Sequence, residues 1–467
     1  MMPQKRSTTI ALTVAIAFFM QNLDTTAVNT AIPAMARSFG TDVIHISSGI
    51  TSYLIALAIF IPISGWIADR YGTRKVFCTA VGLFIISSLL CGSAQTLSQF
   101  VLFRIFQGIS GAMMTPVGRL AVLKATPKSE LVVAMNYITL PALVAPILGP
   151  LVGGYLTTYW SWHWIFLLNI PFSILCIVLA WRNIPADDQT QEPKRRLDMP
   201  GFILSGFGLA GFMYGVELFS KEGIPYYLPF IILAISVFLL YLNLKHSKHI
   251  SNPLIDYSIL KIKTFRITIF VGTLSRMVIG VAPYLVPLMF QIGFGLNPFE
   301  AGLLFVATMA GNLSMKSITV YIVRRFSFRN ILLVNGVIIS IFTLITAFLL
   351  PTTPVYIVVA VMFLSGMARS MQFTSITTLA FADIPSDKMT NANSFYSTIQ
   401  QMSSGMGIAI GAVALRFSSM INGQDTDSYS VADFRLSFFF VTALALIHLW
   451  GYTKLSDEDG AELRRKG

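Results

Sequence analysis

The chain has 467 residues, 55% of them hydrophobic and only 12% charged, with a mean hydropathy of +0.70. A soluble domain carries roughly 25% charged residues, so the composition excludes a soluble enzyme and marks a polytopic membrane protein. The net charge of +12 would suggest nucleic acid in a soluble protein; here its distribution points to the anionic cytoplasmic leaflet. Cys78, Cys91 and Cys176 all fall in apolar runs at no metal-ligand spacing, so neither disulfides nor a metal site are indicated.

Apolar runs of about 20 residues read as membrane-spanning helices. The first follows Lys5 and Arg6, and Ala34-Met35-Ala36 downstream resembles a signal-peptidase site. The run from Thr9 to Ala31 is too long for a signal core and contains Gln21, Asn22, Asp24 and Asn29. It is therefore read as span 1 (9–31). Spans 2 to 14 follow near 48–67, 76–94, 100–121, 134–156, 164–182, 200–219, 227–244, 267–291, 299–321, 330–350, 354–376, 392–415 and 434–452. Loops between them are short, as expected where the backbone must satisfy itself inside lipid.

Sorting the basic residues tests this placement. The N-terminus, the even-numbered connections and the C-terminal tail hold 24 of the 33 lysines and arginines, and the odd-numbered connections hold four. Under the positive-inside rule both termini are expected in the cytoplasm. The remaining five, Arg104, Arg119, Arg276, Lys316 and Arg369, lie inside spans.

Between spans 2 and 3 runs the strip Gly65-Trp66-Ile67-Ala68-Asp69-Arg70-Tyr71-Gly72-Thr73-Arg74-Lys75. It reads as a tight cytoplasmic hairpin in which Gly65 permits close helix approach and Gly72 supplies a turn. Asp69 suits hydrogen bonds from a helix N-terminus, and Arg70 and Arg74 suit carboxylates or lipid phosphates. Position and spacing resemble the signature loop of the major facilitator superfamily; Thr73 departs from it, standing where the family usually has a basic residue.

Span 4 carries Arg104-Ile105-Phe106-Gln107-Gly108. A charge inside a span costs roughly 2.5–3.5 kcal/mol on insertion scales and should face a partner or a cavity. Asp24, the only acidic residue deep within a span, lies in the outer half of span 1, at a depth that can match Arg104. The pair reads either as a fixed structural ion pair or as a carboxylate whose proton depends on access and on Arg104. Span 5 carries Ala145-Pro146-Ile147-Leu148-Gly149-Pro150-Leu151-Val152-Gly153-Gly154, a pliable helix with freed carbonyls and small faces. Trp162-His163-Trp164-Ile165-Phe166-Leu167-Leu168-Asn169-Ile170-Pro171 opens span 6.

These segments, with Leu23-Asp24-Thr25-Thr26-Ala27-Val28-Asn29-Thr30-Ala31-Ile32-Pro33, resemble the motifs of the fourteen-span drug:proton antiporter family. His163 replaces its usual arginine and Ala145 its usual glycine. The resemblance covers essentially the whole chain, and multidrug-resistance proteins of the bacterial inner membrane are the most similar type. It implies export driven by proton entry, with Asp24 and Arg104 coupling the proton. Gly65, Asp69, Arg70, Gly72, Arg74, Gly149, Pro150, Gly153 and Gly154 are expected to gate the conformational change.

An internal repeat accompanies the resemblance. Arg70-Tyr71-Gly72-Thr73-Arg74 returns as Arg325-Phe326-Ser327-Phe328-Arg329, and Gln107-Gly108 corresponds to Ser365-Gly366. The fold class that follows is all-α: a polytopic membrane protein with the major facilitator fold, two six-helix parallel pseudo-repeats plus two inserted central helices. The expected domains are an N-terminal bundle (1–183), a cytoplasmic linker (184–199), two inserted spans (200–245), a second linker (246–266), a C-terminal bundle (267–452) and a tail (453–467).

The substrate cavity is expected between the halves, on spans 1, 4, 5, 9, 10 and 13, with Gln21, Asn29, Gln107, Asn136, Arg276 and Gln400 on its wall. Five cations against one deep carboxylate disfavour a strongly cationic substrate and leave anionic, zwitterionic and neutral ones open. Gly405-Met406-Gly407 follows no strand and is not a dinucleotide site, and neither a P-loop nor a zinc-protease motif is present. No repeated channel filter appears. The function expected is a proton-coupled exporter of small amphiphilic molecules; the alternatives are a carrier of one metabolite or siderophore in either direction, or a transport-inactive sensor. Neither cofactor nor nucleic acid is expected, and the protein is expected to act as a monomer with protons, lipid and a small-molecule substrate as partners.

Overall fold

In the computed structural model, residues 3–41, 43–186, 196–219, 224–225, 227–250, 253–296, 298–422 and 429–463 are described. Of the expected linker 184–199, residues 187–195 lie outside that description. Among the described residues there are sixteen α-helices and no strands. They are α1 (Pro3–Phe39), α2 (Val43–Phe60), α3 (Ser64–Tyr71), α4 (Thr73–Gly92), α5 (Leu97–Ala125), α6 (Leu131–Tyr159), α7 (His163–Leu167) and α8 (Asn169–Asn183). Then come α9 (Met199–Leu218), α10 (Tyr227–Ser247), α11 (Lys263–Leu288), α12 (Pro298–Arg325), α13 (Phe328–Ala347), α14 (Val355–Ala382), α15 (Met389–Ile421) and α16 (Val431–Tyr452).

Among the described residues twelve helical stretches are long and apolar enough to cross a membrane, and two bent helix pairs bring the number to fourteen if each pair is one span; each overlaps a span read from the sequence. The bent pairs have a local cause. Ser48–Phe60 and Ser64–Tyr71 meet at 57°, where Pro62 lacks an N–H and its ring opposes the carbonyl four residues back. Leu131–Pro146 and Leu151–Tyr159 meet at 43°, at the proline- and glycine-rich run of span 5.

The charged strip is not the hairpin loop expected from the sequence. Residues 64–71 form helix α3, and Gly72 alone links it to α4. Gly72 has φ +90°, a backbone conformation that a side chain opposes. The apolar run ends near residue 67, but the span bends at Pro62 and continues as helix to Tyr71, so the first two turns of the charged strip are helix rather than loop.

The chain groups into two compact units: Met1–Tyr214, Ile232–Ser258 and Pro385–Thr398 form unit 1, and Gly215–Ile231, Ile259–Ile384 and Ile399–Gly467 form unit 2. The boundary falls inside α9, α10 and α15.

Unit 1 is assembled by glycines at helix crossings. A Cβ on Gly149 of α6 would collide with Thr26 of α1, and one on Gly108 of α5 would meet the Tyr53 carbonyl of α2 at 2.5 Å. Unit 2 repeats the pattern. Gly407 of α15 lies against Met277 and Gly280 of α11, and Gly366 of α14 lies against the Thr308 carbonyl of α12. Lipid tails are as apolar as leucine, so close backbone approach rather than burial of apolar area drives such contacts. The repeated pair Gln107-Gly108 and Ser365-Gly366 thus marks equivalent crossings. The core of unit 2 is an apolar cluster that includes Leu285, Phe290, Phe434, Phe438 and Val441. Ile86, Leu102, Phe230 and Trp450 are exposed, as side chains facing lipid should be.

A polar knot fixes the connection from α10 to α11 onto unit 1. Asp198 accepts hydrogen bonds from His246 Nε2 (2.8 Å), the Gly201 N–H (2.9 Å) and the Leu254 N–H (3.2 Å). Burial raises the Asp198 carboxyl, but these three donors outweigh it and hold it below the ordinary value. Tyr257 donates to Asn243 Oδ1 at 2.9 Å, and burial pushes its hydroxyl up to about 12.

The glycine crossings make a direct stability test. Gly366→Ala places a methyl group on the Thr308 carbonyl and is expected to destabilise the protein by about 1–3 kcal/mol through overpacking. Gly154→Ala, where nothing lies within 4 Å of the added carbon, is expected to be neutral. Thermal unfolding in detergent decides; equal midpoints for the two variants would refute the crossing argument.

Candidate functional site

Asp24 sits in the middle of a buried polar network supplied by four helices. Arg104 Nη1 on α5 donates to Asp24 Oδ2 at 2.8 Å and to Gln107 Oε1 at 2.6 Å. Gln107 Nε2 donates to Asp24 Oδ1 at 3.2 Å and to Ser88 Oγ of α4 at 3.1 Å. Asn169 Nδ2, at the first residue of α8, donates to Asp24 Oδ1 at 2.8 Å. The carboxylate therefore receives three hydrogen bonds, one from a guanidinium and two from amides. Cys91 reaches Gln107 Oε1 at 3.7 Å.

Aromatic rings close the site. The guanidinium carbon of Arg104 lies 4.4 Å from the Tyr53 ring centroid and 5.9 Å from that of Phe166, a cation–π geometry that holds charge away from water. Arg104 is 0% exposed and Asp24 1%. Removing either partner would leave the other charge buried and uncompensated, which is the costly case for an internal ion pair. Nε and Nη2 of Arg104 have no hydrogen-bond partner. The site thus satisfies Asp24 more completely than Arg104.

The five residues converge because small residues let their helices approach. Gly108, one turn after Arg104, lets α5 approach α2 so closely that Tyr53 covers the guanidinium. Ser88 and Asn169 are members of the network that sequence reasoning did not select. Asn169 lies in the segment that opens span 6, whose pattern does not set it apart from its neighbours.

The residues expected on a cavity wall divide among several environments. Gln107 has no exposed surface and belongs to the Asp24 network. Gln21 is half-buried and accepts a short hydrogen bond from Thr115. Asn136 is buried, and Gln400 is half-buried. Arg276 is buried with Nη1 3.5 Å from the Thr268 carbonyl. Asn29 lies on α1, but its side chain falls outside the described residues. Gln21, Asn29, Gln107 and Asn136 belong to unit 1, Arg276 and Gln400 to unit 2.

The expected gating residues fall at two places in unit 1, one in and around α3 and the other on α6. Gly65 packs against Ser394 and Thr390 at the start of α15, where a side chain would collide. Asp69 Oδ1 accepts from Thr390 Oγ1 at 2.9 Å and lies 3.8 Å from Lys124 Nζ. Lys124 also donates to Thr73 Oγ1 at 3.3 Å. Where the family's basic residue is missing, a lysine from α5 brings charge to the same spot. Arg70 lies over Trp66 at 5.3 Å, and Arg74 over Trp181 at 4.7 Å. Gly149 marks the contact of α6 with α1, Gly153 is buried and Gly154 half-buried. Pro150 continues α6, and its side chain falls outside the described residues.

Comparison with known proteins follows the same outline. A family profile described as Major Facilitator Superfamily matches residues 14–408. A putative multidrug resistance protein MdtD of Klebsiella pneumoniae is 36% identical over 460 residues, 97% of this chain and 96% of that one. The protein of the same description from Escherichia coli O6:H1 is 38% identical over 406 residues, 86% and 85% of the two chains. Among solved structures, the proton:xylose symporter XylE superposes with a TM-score of 0.66 at 14% identity, over 98% of this chain and 97% of that one. The human organic anion transporter MFSD10 gives 0.65 at 12% identity, over 97% and 100%. At such identities the superpositions establish the fold alone.

The network makes a double-mutant prediction. Arg104→Ala should cost about 3–5 kcal/mol, because it strands the Asp24 charge. Adding Asp24→Asn should recover a large part of that loss, since the amide needs no counter-charge. The measurement is thermal unfolding of the purified variants; a double variant no more stable than Arg104→Ala would show that the charge is not what the arginine compensates.

Proposed function

The chain belongs to the major facilitator superfamily, and we propose that within it the protein is a proton-coupled exporter of small amphiphilic molecules. It works by alternating access in the bacterial inner membrane, with its two six-helix bundles exchanging between inward- and outward-facing states. The chain is a multi-pass transporter by its family and its spans. Relatives named as multidrug resistance proteins support the substrate class and the direction. The observation that carries proton coupling is the Asp24 carboxylate, the only acidic residue deep within a span, held by Arg104, Gln107 and Asn169.

The chemistry follows from what that site favours. With all three donors in place, the ionised carboxylate is the satisfied state. A conformation that withdraws Arg104 strands the charge in a dry interior, and a proton taken up from the side then exposed neutralises it. Return of Arg104 expels the proton to the opposite side. One charge moved through 100 mV supplies about 2.3 kcal/mol, enough to bias a two-state equilibrium some fiftyfold. Because Arg104 has no exposed surface in this conformation, a substrate does not reach it directly. Its withdrawal is a consequence of helix movement rather than of competition at the pair.

The α3 cluster supplies a latch for that movement. Asp69 and Gly65 hold the start of α15 through Thr390 and Ser394, and an exposed pair such as Asp69–Lys124 is worth little.

Two experiments test the reading. Everted vesicles carrying the protein should show collapse of the pH gradient on addition of a transported compound, and Asp24→Asn, compared at a matched amount of folded protein because it strands the Arg104 charge, should abolish that collapse. Proton-linked flux at the wild-type rate in Asp24→Asn would exclude this residue as the coupling site. Asp69→Asn should change turnover with substrate affinity unaltered; an affinity loss at constant turnover would remove α3 from the gate.

A further inference from the structure

The gating strip of unit 1 has a second copy in unit 2, and the copy lacks its carboxylate. Arg70-Tyr71-Gly72-Thr73-Arg74 returns as Arg325-Phe326-Ser327-Phe328-Arg329, and in that register Arg324 stands at the position of Asp69. The copy joins α12 to α13, with Phe326 and Ser327 between the two helices. In unit 1 Asp69 accepts from the Thr390 hydroxyl at 2.9 Å and lies 3.8 Å from Lys124. An arginine has five donors and no acceptor, so it cannot stand in for that carboxylate.

A carboxylate reaches the copy from elsewhere in the chain. The segment after α16, residues 453–463, packs on unit 2 and belongs to it. Asp457 Oδ1 accepts from Ser327 Oγ at 2.7 Å, and Asp457 Oδ2 lies 4.0 Å from Arg329 Nη1. Ser327 is the N-cap of α13, its hydroxyl accepting from the Asn330 N–H, so the carboxylate also meets the positive end of that helix. Hydroxyl, cation and carboxylate are the groups of the α3 contact with their ownership exchanged. The strip of unit 1 supplies the carboxylate; its copy in unit 2 supplies the hydroxyl and the cation.

Two residues further on, Asp459 Oδ2 lies 2.9 Å from Nζ of Lys263, the first residue of α11. The segment thereby ties the start of α11 to the start of α13. Its apolar footing is small. Leu455 is 3% exposed, and Gly460, at φ +73°, lies where a Cβ would come within 3.0 Å of both Phe328 and Leu379. Both ion pairs reach water, with Asp457 62% and Lys263 44% exposed, and pairs of that kind contribute little.

We propose that residues 453–463 are the latch of the second gating strip: Asp457 and Asp459 hold the starts of α13 and α11 together in this conformation and release them when the transporter changes state. Both are positioning residues, acting through Ser327, Arg329 and Lys263 rather than on a substrate. The inference rests on the reading of the chain as an alternating-access transporter gated at its strips.

Two measurements on the full-length chain test it. The first is made in neutral detergent without a gradient. The thiol of Leu455→Cys should react with a maleimide as the segment comes away, above the background set by the three buried cysteines of the wild type. Lys263→Gln should speed that reaction about two- to fivefold, as expected for loss of an exposed pair. Where Leu455→Cys does not fold, hydrogen exchange of the Leu455, Ser456 and Ala461 amides, all hydrogen-bonded in the docked segment, is read with and without Lys263→Gln instead. A thiol no more reactive than background, amides as protected as those inside α16, or equal rates with and without Lys263→Gln overturn the proposal.

The second measurement locks the latch. Ser327→Cys combined with Asp457→Cys should cross-link on oxidation with copper phenanthroline. The cross-link should arrest the pH-gradient collapse that everted vesicles show with ethidium, deoxycholate or chloramphenicol, and dithiothreitol should restore it. Ser327→Cys alone should be indifferent to both reagents. Failure of the pair to cross-link, or transport at the reduced rate with the cross-link formed, overturns the latch. Where the reduced pair is inactive, the maleimide reaction decides. The two readings fail separately: release in detergent with no vesicle response to the three compounds counts against the exporter alone, and a vesicle response that survives the cross-link counts against the latch alone.

Discussion

A carboxylate in hydrocarbon has to find its hydrogen bonds within the protein, and the placement of Asp24 imposes that demand on the whole of unit 1. Three donors from two further helices converge on it, and two aromatic rings cover the guanidinium that neutralises it. Such convergence tolerates little looseness. α5 has to lie close to α2 for Tyr53 to cover Arg104, and α8 has to begin at Asn169 for its amide to reach Oδ1. Glycines at the crossings meet the first requirement, since a Cβ on Gly108 would meet the Tyr53 carbonyl at 2.5 Å. The polar site and the packing are one constraint seen from two sides.

The same packing device recurs in unit 2. Gly366 against Thr308 and Gly407 against Gly280 bring α14 and α15 onto their neighbours as Gly108 and Gly149 do for α5 and α6. Ser365 stands where Gln107 would be, and no carboxylate takes the place of Asp24. Backbone geometry has been kept while the charged chemistry has diverged, because crossings are fixed by small residues and not by the polar groups beside them.

Much of this was legible in the chain. Hydropathy placed the twelve straight spans and, within the two bent pairs, the apolar runs on either side of each break, because long apolar runs separated by short basic connections stand out. The Asp24–Arg104 pair was legible because both charges stood out against apolar helices at matching depth. Ser88 and Asn169 escaped for the opposite reason: single neutral polar residues are ordinary in spans. A count of depth would have found them. Ser88 is four residues from the end of α4, Arg104 seven from the start of α5, and Asn169 six from the start of the span opening at His163. At 1.5 Å per residue these depths agree to within about 5 Å. The Gly65–Lys75 strip misled because charge was read as loop, whereas Pro62 had already broken the span and a new helix followed it.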